Sequence, residues 1–180
     1  MSKKILIIST SLRPNANSEI LSHEVERGAK EVGHEVEFVT LKDKEINFCK
    51  GCMACQKIGR CVIDDDVNAI LEKMKKADVI VWATPVYYYE MSGQMKTLID
   101  RANALYSAQH NIKEVYVITT SADGSENVVQ TVLNGVKGWI ACLSGVKLSG
   151  FLNGGGLDAP NQVSQNSQLL SKAFELGKSI

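Results

Sequence analysis

The sequence predicts a doubly wound α/β domain, a five-stranded parallel sheet with helices on both faces. Two observations carry this reading. Short apolar runs alternate with stretches of helical periodicity along the whole chain, five times over. Strand–helix units in series imply parallel strands covered on both sides. At 180 residues the chain is long enough to bury a full core, so one domain over residues 1–180 is expected.

Lys4–Ser9 (KILIIS) reads as a buried strand. Ser18–Val32 follows as a helix, with Ile20, Leu21, Val25, Ala29 and Val32 at helical spacing and Asn17 or Ser18 as N-cap. Glu35–Leu41 alternates, as a strand near a sheet edge does. Asp64–Asp66 is placed to cap a helix running to Lys76, where acidic groups suit the dipole. Asp78–Ala83 (DVIVWA) is the central strand, and Pro85 is expected to end it. Gly93–Tyr106 is the next helix, Glu114–Thr120 a strand, and Asn127–Leu143 a helix. Val146–Leu152 is the fifth strand, Asn153–Gly156 a glycine-rich loop, and Ser164–Lys178 the closing helix. Right-handed crossovers leave few arrangements, and five strands favour the flavodoxin-like order 2-1-3-4-5 in a three-layer sandwich.

Twenty basic and twenty acidic residues cancel, so nothing points to nucleic acid or an anionic membrane surface. The longest apolar runs are too short to span a bilayer, and the N-terminal run is too short for a signal-peptide core. A cytoplasmic location is the expectation.

In this topology a ligand lies beyond the carboxyl ends of the strands, where strand order reverses. Three loops meet there. The first, Ser9 to Ser18, carries hydroxyls and Arg13 and leads into a helix N-terminus, which favours an anion. It has neither the glycine spacing of a dinucleotide fingerprint nor a Gly-Lys-Ser/Thr phosphate loop, so a terminal phosphate suits it better than a pyrophosphate. Taken alone, it reads equally well as a polar turn with an N-cap. The second, Thr84 to Gly93, holds Tyr87, Tyr88 and Tyr89, which cannot all face the core. A planar cofactor stacked on a ring explains their exposure, and so does a subunit interface. The third, Thr119 to Ser125, is small and polar, which lets a flat ring approach the backbone.

Together these loops resemble the NADPH-dependent FMN reductase and iron–sulfur flavoprotein group. The first loop matches at Ser9, Ser11, Arg13, Asn17 and Ser18, departing at Thr10, where Gly is common, and Leu12, where Pro is common. The second matches at Thr84-Pro85-Val86-Tyr87, Met91-Ser92-Gly93-Gln94, Lys96 and Ile99-Asp100-Arg101. The resemblance covers nearly the whole chain. It implies non-covalent FMN, with phosphate held by Ser11, Arg13, Asn17 and Ser18 beside Ser9. Thr84 and Pro85, Val86, Tyr87 and Tyr88 would face the ring from one loop, and Ser121, Ala122, Asp123 and Gly124 from the other. It also implies a homodimer or homotetramer.

Five cysteines are present, and four of them, Cys49, Cys52, Cys55 and Cys61, follow C-x₂-C-x₂-C-x₅-C. An odd count and this crowding argue against a secreted disulfide framework. Three cysteines at x₂ spacing can wrap one face of a [4Fe-4S] cluster and a fourth closes it. The spacing is similar to that of cluster-bearing iron–sulfur flavoproteins. Zinc more often takes two separated pairs. The alternative is four thiols packed near the flavin without a metal. Cys142, in an apolar helix, reads as core. His23 and His34 read as solvent-facing, Trp82 as core, and Trp139 as core or interface.

The expected function is an FMN-dependent NAD(P)H oxidoreductase that passes electrons to a quinone, a flavin or another small acceptor. No acid–base residue is singled out, because the cofactor carries the chemistry. A second reading is an iron–sulfur flavoprotein shuttling electrons from a ferredoxin-like donor. A third, a flavodoxin-type carrier, is disfavoured by zero net charge, since such carriers are usually acidic.

Overall fold

A computed structural model describes residues 1–180. The strands are β1 (Lys4–Ser9), β2 (Glu35–Thr40), β3 (Val79–Tyr87), β4 (Glu90–Met91), β5 (Glu114–Ser121) and β6 (Lys147–Gly155). The helices are α1 (Asn17–Glu31), α2 (Ala54–Ile58), α3 (Val67–Lys76), α4 (Gly93–Arg101), α5 (Asn127–Ile140) and α6 (Ser167–Lys178), with 3₁₀ turns at Ala102–Leu105 and Gln162–Gln165. The sheet runs β2-β1-β3-β5-β6, all parallel. This is the expected flavodoxin-like order, with β4 as a short antiparallel addition to β3. No helix is long and apolar enough to cross a membrane.

Alternation along the strands builds two cores. Leu6 and Ile8 of β1, Ile80 and Trp82 of β3, and Val115 and Val117 of β5 face one side, under α3, α4 and α5. Ile5, Ile7, Val79, Val81 and Ile118 face the other, under α1 and α6. Because both faces are covered, β1 and β3 read as continuous apolar runs rather than alternating ones. Trp82 is fully buried and meets Trp139 edge-to-face at 5.7 Å between ring centroids. Under the second face, α1 and α6 approach through glycines. A Cβ on Gly28 would overlap the Phe174 carbonyl, and one on Gly177 the Val25 carbonyl.

The structure revises several expectations. β3 does not stop at Pro85 but runs to Tyr87. Its pairing with β1 ends at Ser9–Ala83, whereas pairing with β5 continues to Pro85–Thr120. At Thr84 and Pro85, between the end of the β1 pairing and the start of the β4 pairing at Val86, β3 has only β5 as a strand partner, and a residue lacking N–H is tolerated there. Residues Asn153 to Gly155, expected as loop, extend β6 beside Thr119 to Ser121. Their smallness reflects close packing: a Cβ on Gly155 would come within 2.9 Å of the Gly124 Cα. Helix α4 ends at Arg101 and continues only as a 3₁₀ turn. Helix α5 ends at Ile140, leaving Cys142 exposed rather than in the core. His34 is half-buried, its Nδ1 accepting from the Lys3 backbone N–H at 3.1 Å. Burial first, then the charge of Lys3, holds its pKa below the ordinary value.

Candidate functional site

The carboxyl ends of β1, β3 and β5 open into a cleft of about 320 Å³. This lies at the small end of the range for small-molecule sites. Its first wall is the β1–α1 loop and the start of α1, with Ser11, Arg13, Asn17 and Ser18, joined by Ala16. Helix α1 begins at Asn17, and its cap residue Ala16 offers no side-chain bond to the helix end. Neither expected cap, Asn17 or Ser18, fills that role. The Asn17 side chain instead donates to the Ala159 carbonyl at 2.9 Å and accepts from the Val163 N–H at 3.0 Å, tying α1 to the 159–163 loop. Ser18 Oγ is buried and has no hydrogen-bond partner. A helix N-terminus without a side-chain cap, beside a buried unpaired hydroxyl, fits a bound phosphate. Arg13 lines the same wall, and its Nη1 donates to the Asp158 carbonyl at 2.8 Å.

The second wall is Pro85, Val86, Tyr87 and Tyr88. Here β3 turns into β4 as a hairpin whose tip residues, Tyr88 and Tyr89, have φ of 50° and 65°. Consecutive positive φ values suit a two-residue hairpin, yet they are costly for tyrosine. Thr131 of α5 donates its hydroxyl to the Tyr89 carbonyl, and Tyr89 Oη reaches Asp123 Oδ2 at 3.4 Å. The Tyr88 side chain stands free in solvent. The third wall is Thr120, Ser121 and Ala122, with Leu157 and Asp158 closing the cleft.

Four expected residues stand outside the cleft wall. Ser9 is buried and donates to Glu19 Oε2 at 3.1 Å. Thr84 holds the hairpin base: its hydroxyl accepts from the Ser92 N–H at 3.0 Å and donates to the Pro85 carbonyl at 2.9 Å. Asp123 turns its loop by accepting from the Ser125 N–H at 2.8 Å, a bond that holds its pKa below the ordinary range. Gly124 packs beneath β6. Of the two departures in the first loop, one has a structural role. Thr10 is buried, donates to the Ala83 carbonyl at 3.0 Å and shares a hydrogen bond with Ser92, so it pins the loop to β3 and to the cap of α4. Leu12 is exposed on the outer side.

The cysteine segment lies on the α3–α5 side of the sheet, where Cys55 joins the core. Cys49, Cys52, Cys55 and Cys61 border one small pocket. Left-handed turns at Gly51 and Met53 and a third at Gly59 wrap the chain around it. Cys49 and Cys52 are exposed, Cys55 and Cys61 buried. The sulfurs are not drawn together, and no three His, Cys, Asp or Glu side chains form a ready metal-binding group. The donor set itself, four thiols on one pocket whose one carboxylate, Asp100, is paired with Lys96, fits an iron–sulfur cluster.

The structure adds a residue whose role sequence reasoning missed. Arg101, at the end of α4, is fully buried beside a fully buried Asp65. Nη1 and Nη2 donate to the two carboxylate oxygens at 2.7 and 2.8 Å, Nη1 also reaches the Asn47 carbonyl at 2.6 Å, and Nε donates to Cys61 Sγ at 3.1 Å. Burial pushes the Asp65 carboxyl up, but Arg101 and the N–H groups of Asn47 and Val67 outweigh it and leave the pKa low. Within the acidic run only Asp65 meets Arg101, and its Oδ1 also accepts from the Val67 N–H at the start of α3 at 3.1 Å, as the expected cap would. Asp66, expected as a cap, gives no side-chain bond to α3 and accepts instead from the Glu45 N–H at 2.8 Å. The legible signal was an acidic run flanking four cysteines.

Comparison with known proteins shows what the chain and its fold are similar to. A family model described as NADPH-dependent FMN reductase matches residues 3–147. An iron–sulfur flavoprotein of Methanocaldococcus jannaschii is 38% identical over 135 residues, covering 73% of this chain and 70% of the relative. One from Methanosarcina thermophila is 39% identical over 69% of this chain, which spans 65% of that relative's length. The fold matches that of an NAD(P)H:quinone oxidoreductase from Methanothermobacter marburgensis, with a TM-score of 0.77 at 17% identity over 99% of this chain and 96% of the other.

Proposed function

Because the chain belongs to the NADPH-dependent FMN reductase family, we propose that it binds FMN in the cleft between β1, β3 and β5. In this reading it is an oxidoreductase that moves electrons from NAD(P)H to a small acceptor such as a quinone or a free flavin. The buried, unpaired hydroxyl of Ser18 at the uncapped start of α1 carries this reading. FMN, when bound, supplies hydride acceptance and electron release at its ring. The chain supplies the holding groups. Ser11, Ser18 and Arg13 take the phosphate end. Pro85 to Tyr88 and Thr120 to Ala122 flank the ring end with backbone and aromatic surface. Asn17 keeps α1 aligned with the 159–163 loop rather than touching the phosphate. Tyr88, free in solvent at the hairpin tip, is placed to meet the acceptor or a second subunit that covers the ring.

The test is uptake. Apoprotein mixed with FMN should turn yellow and quench flavin fluorescence, and anaerobic NADH or NADPH should bleach it. Failure to take up FMN sinks the proposal.

A second reading has its own observation: four cysteine side chains around one pocket, two of them already receiving side-chain donors. In it Cys49, Cys52, Cys55 and Cys61 hold a [4Fe-4S] cluster, which supplies one-electron transfer, and a ferredoxin-like protein is the electron donor. Iron and acid-labile sulfide measured on protein prepared without oxygen decide it.

A further inference from the structure

The four sulfurs differ sharply in surroundings. Cys55 and Cys61 are buried, and each receives a side-chain N–H: Asn103 Nδ2 to Cys55 Sγ at 3.2 Å and Arg101 Nε to Cys61 Sγ at 3.1 Å. Cys49 and Cys52 are exposed, and only the Gly51 backbone N–H approaches one of them, Cys49, at 3.4 Å. Both side-chain donors come from one short stretch, the end of α4 and the 3₁₀ turn after it. Arg101 is the stronger of the two. Its fork is taken up by Asp65 and backbone carbonyls, which fixes the guanidinium and leaves Nε toward the sulfur. In a buried setting such a donor acts with little screening from water.

We propose that Arg101 and Asn103 form a donor platform that raises the reduction potential of a cluster held by the four cysteines, an inference that rests on the cluster reading above. Hydrogen bonds to ligand sulfur and nearby positive charge draw electron density from the cluster and favour its reduced state. The platform acts on the buried pair of sulfurs, while the exposed pair faces the solvent where an electron donor would approach. Arg101 is a positioning residue here. A purely structural role, clamping the loop through the Asn47 carbonyl and Asp65, predicts an effect on folding with no effect on potential.

The experiment uses the full chain reconstituted anaerobically with ferrous iron and sulfide. Iron and sulfide per chain are measured first, then the cluster midpoint potential in a dithionite titration followed by electron paramagnetic resonance. The variants are R101Q/D65N, which removes both charges and leaves no orphan carboxylate, and N103A, at a half-buried position. Both are expected to load the wild-type amount of iron and sulfide and to titrate at more negative potentials. The shift should be larger for R101Q/D65N, and the flavin potential should stay in place. If wild-type protein takes up no iron and sulfide, the cluster reading fails and the inference falls with it. If the wild type loads and both variants titrate with it, the platform is overturned while the cluster reading stands. Should R101Q/D65N fail to fold, N103A decides alone: a lowered potential supports the platform and an unchanged one overturns it.

Discussion

Replacing Ser18 with alanine should have opposite effects on the empty and the loaded protein. Ser18 Oγ is fully buried without a partner. A buried hydroxyl in that state costs about 1–3 kcal/mol of desolvation. Removing it, and gaining a better helix former in the first turn of α1, should stabilise the apoprotein by about 1 kcal/mol after some packing is lost. A hydrogen bond to a charged oxygen contributes about 1.5–3 kcal/mol, so FMN affinity should fall by about 10- to 150-fold at about 1.4 kcal/mol per tenfold. Riboflavin, which has no phosphate, should bind both proteins alike. Thermal unfolding of the apoprotein and fluorescence titration with the two flavins give the three numbers. Equal losses for FMN and riboflavin, or a less stable apoprotein, would refute the assignment of this hydroxyl to the phosphate.

Other substitutions test the frame around the site. Tyr88→Asn with Tyr89→Gly suits the two positive φ values at the hairpin tip. It should raise stability by about 1 kcal/mol, read from the denaturation midpoint, while weakening flavin binding if the rings contact the cofactor. Gly28→Ala forces a Cβ into the Phe174 carbonyl and should cost about 2–3 kcal/mol in urea unfolding. Glu114 is held between Lys3, at 2.7 Å, and Lys147, at 3.2 Å, and the bond from Lys3 is the largest cause of its lowered pKa. Its folded value lies below its unfolded one, so its stabilisation is present above the ordinary carboxylate value of 4.5 and is lost as pH falls below it. The stability advantage of wild type over Glu114→Gln should therefore shrink below that pH, and an advantage that holds constant down to pH 3 would count against the triad.

Strand identity and order were legible because burial on both faces makes β1 and β3 unbroken apolar runs, a pattern no surface strand produces. What escaped was local chemistry overridden by neighbours. Pro85 reads as a strand end, yet it falls where β1 has stopped pairing and β4 has not begun, so no β1 or β4 residue pairs with it. The glycines of β6 read as a loop because the close approach of the 121–124 loop, which demands them, is a tertiary fact. In the site, the loops were found from sequence, but individual roles were not. Asn17 looks like a helix cap, yet its side-chain partners prove to be Ala159 and Val163, more than 140 positions away. Arg101 lay within a recognised motif, but its pairing with Asp65 and Cys61 depends on how the cysteine segment folds back on α4.

That distant tie of Asn17 has a consequence for synthesis. The helix start at the cleft wall is anchored by residues 159–163, and the cleft is closed by Leu157 and Asp158. A chain emerging from the ribosome can form β1 and α1 early, but it cannot complete the cleft until this late segment has left the exit tunnel. Capture of the FMN proposed for this cleft should thus follow, not precede, the emergence of residues 157–163.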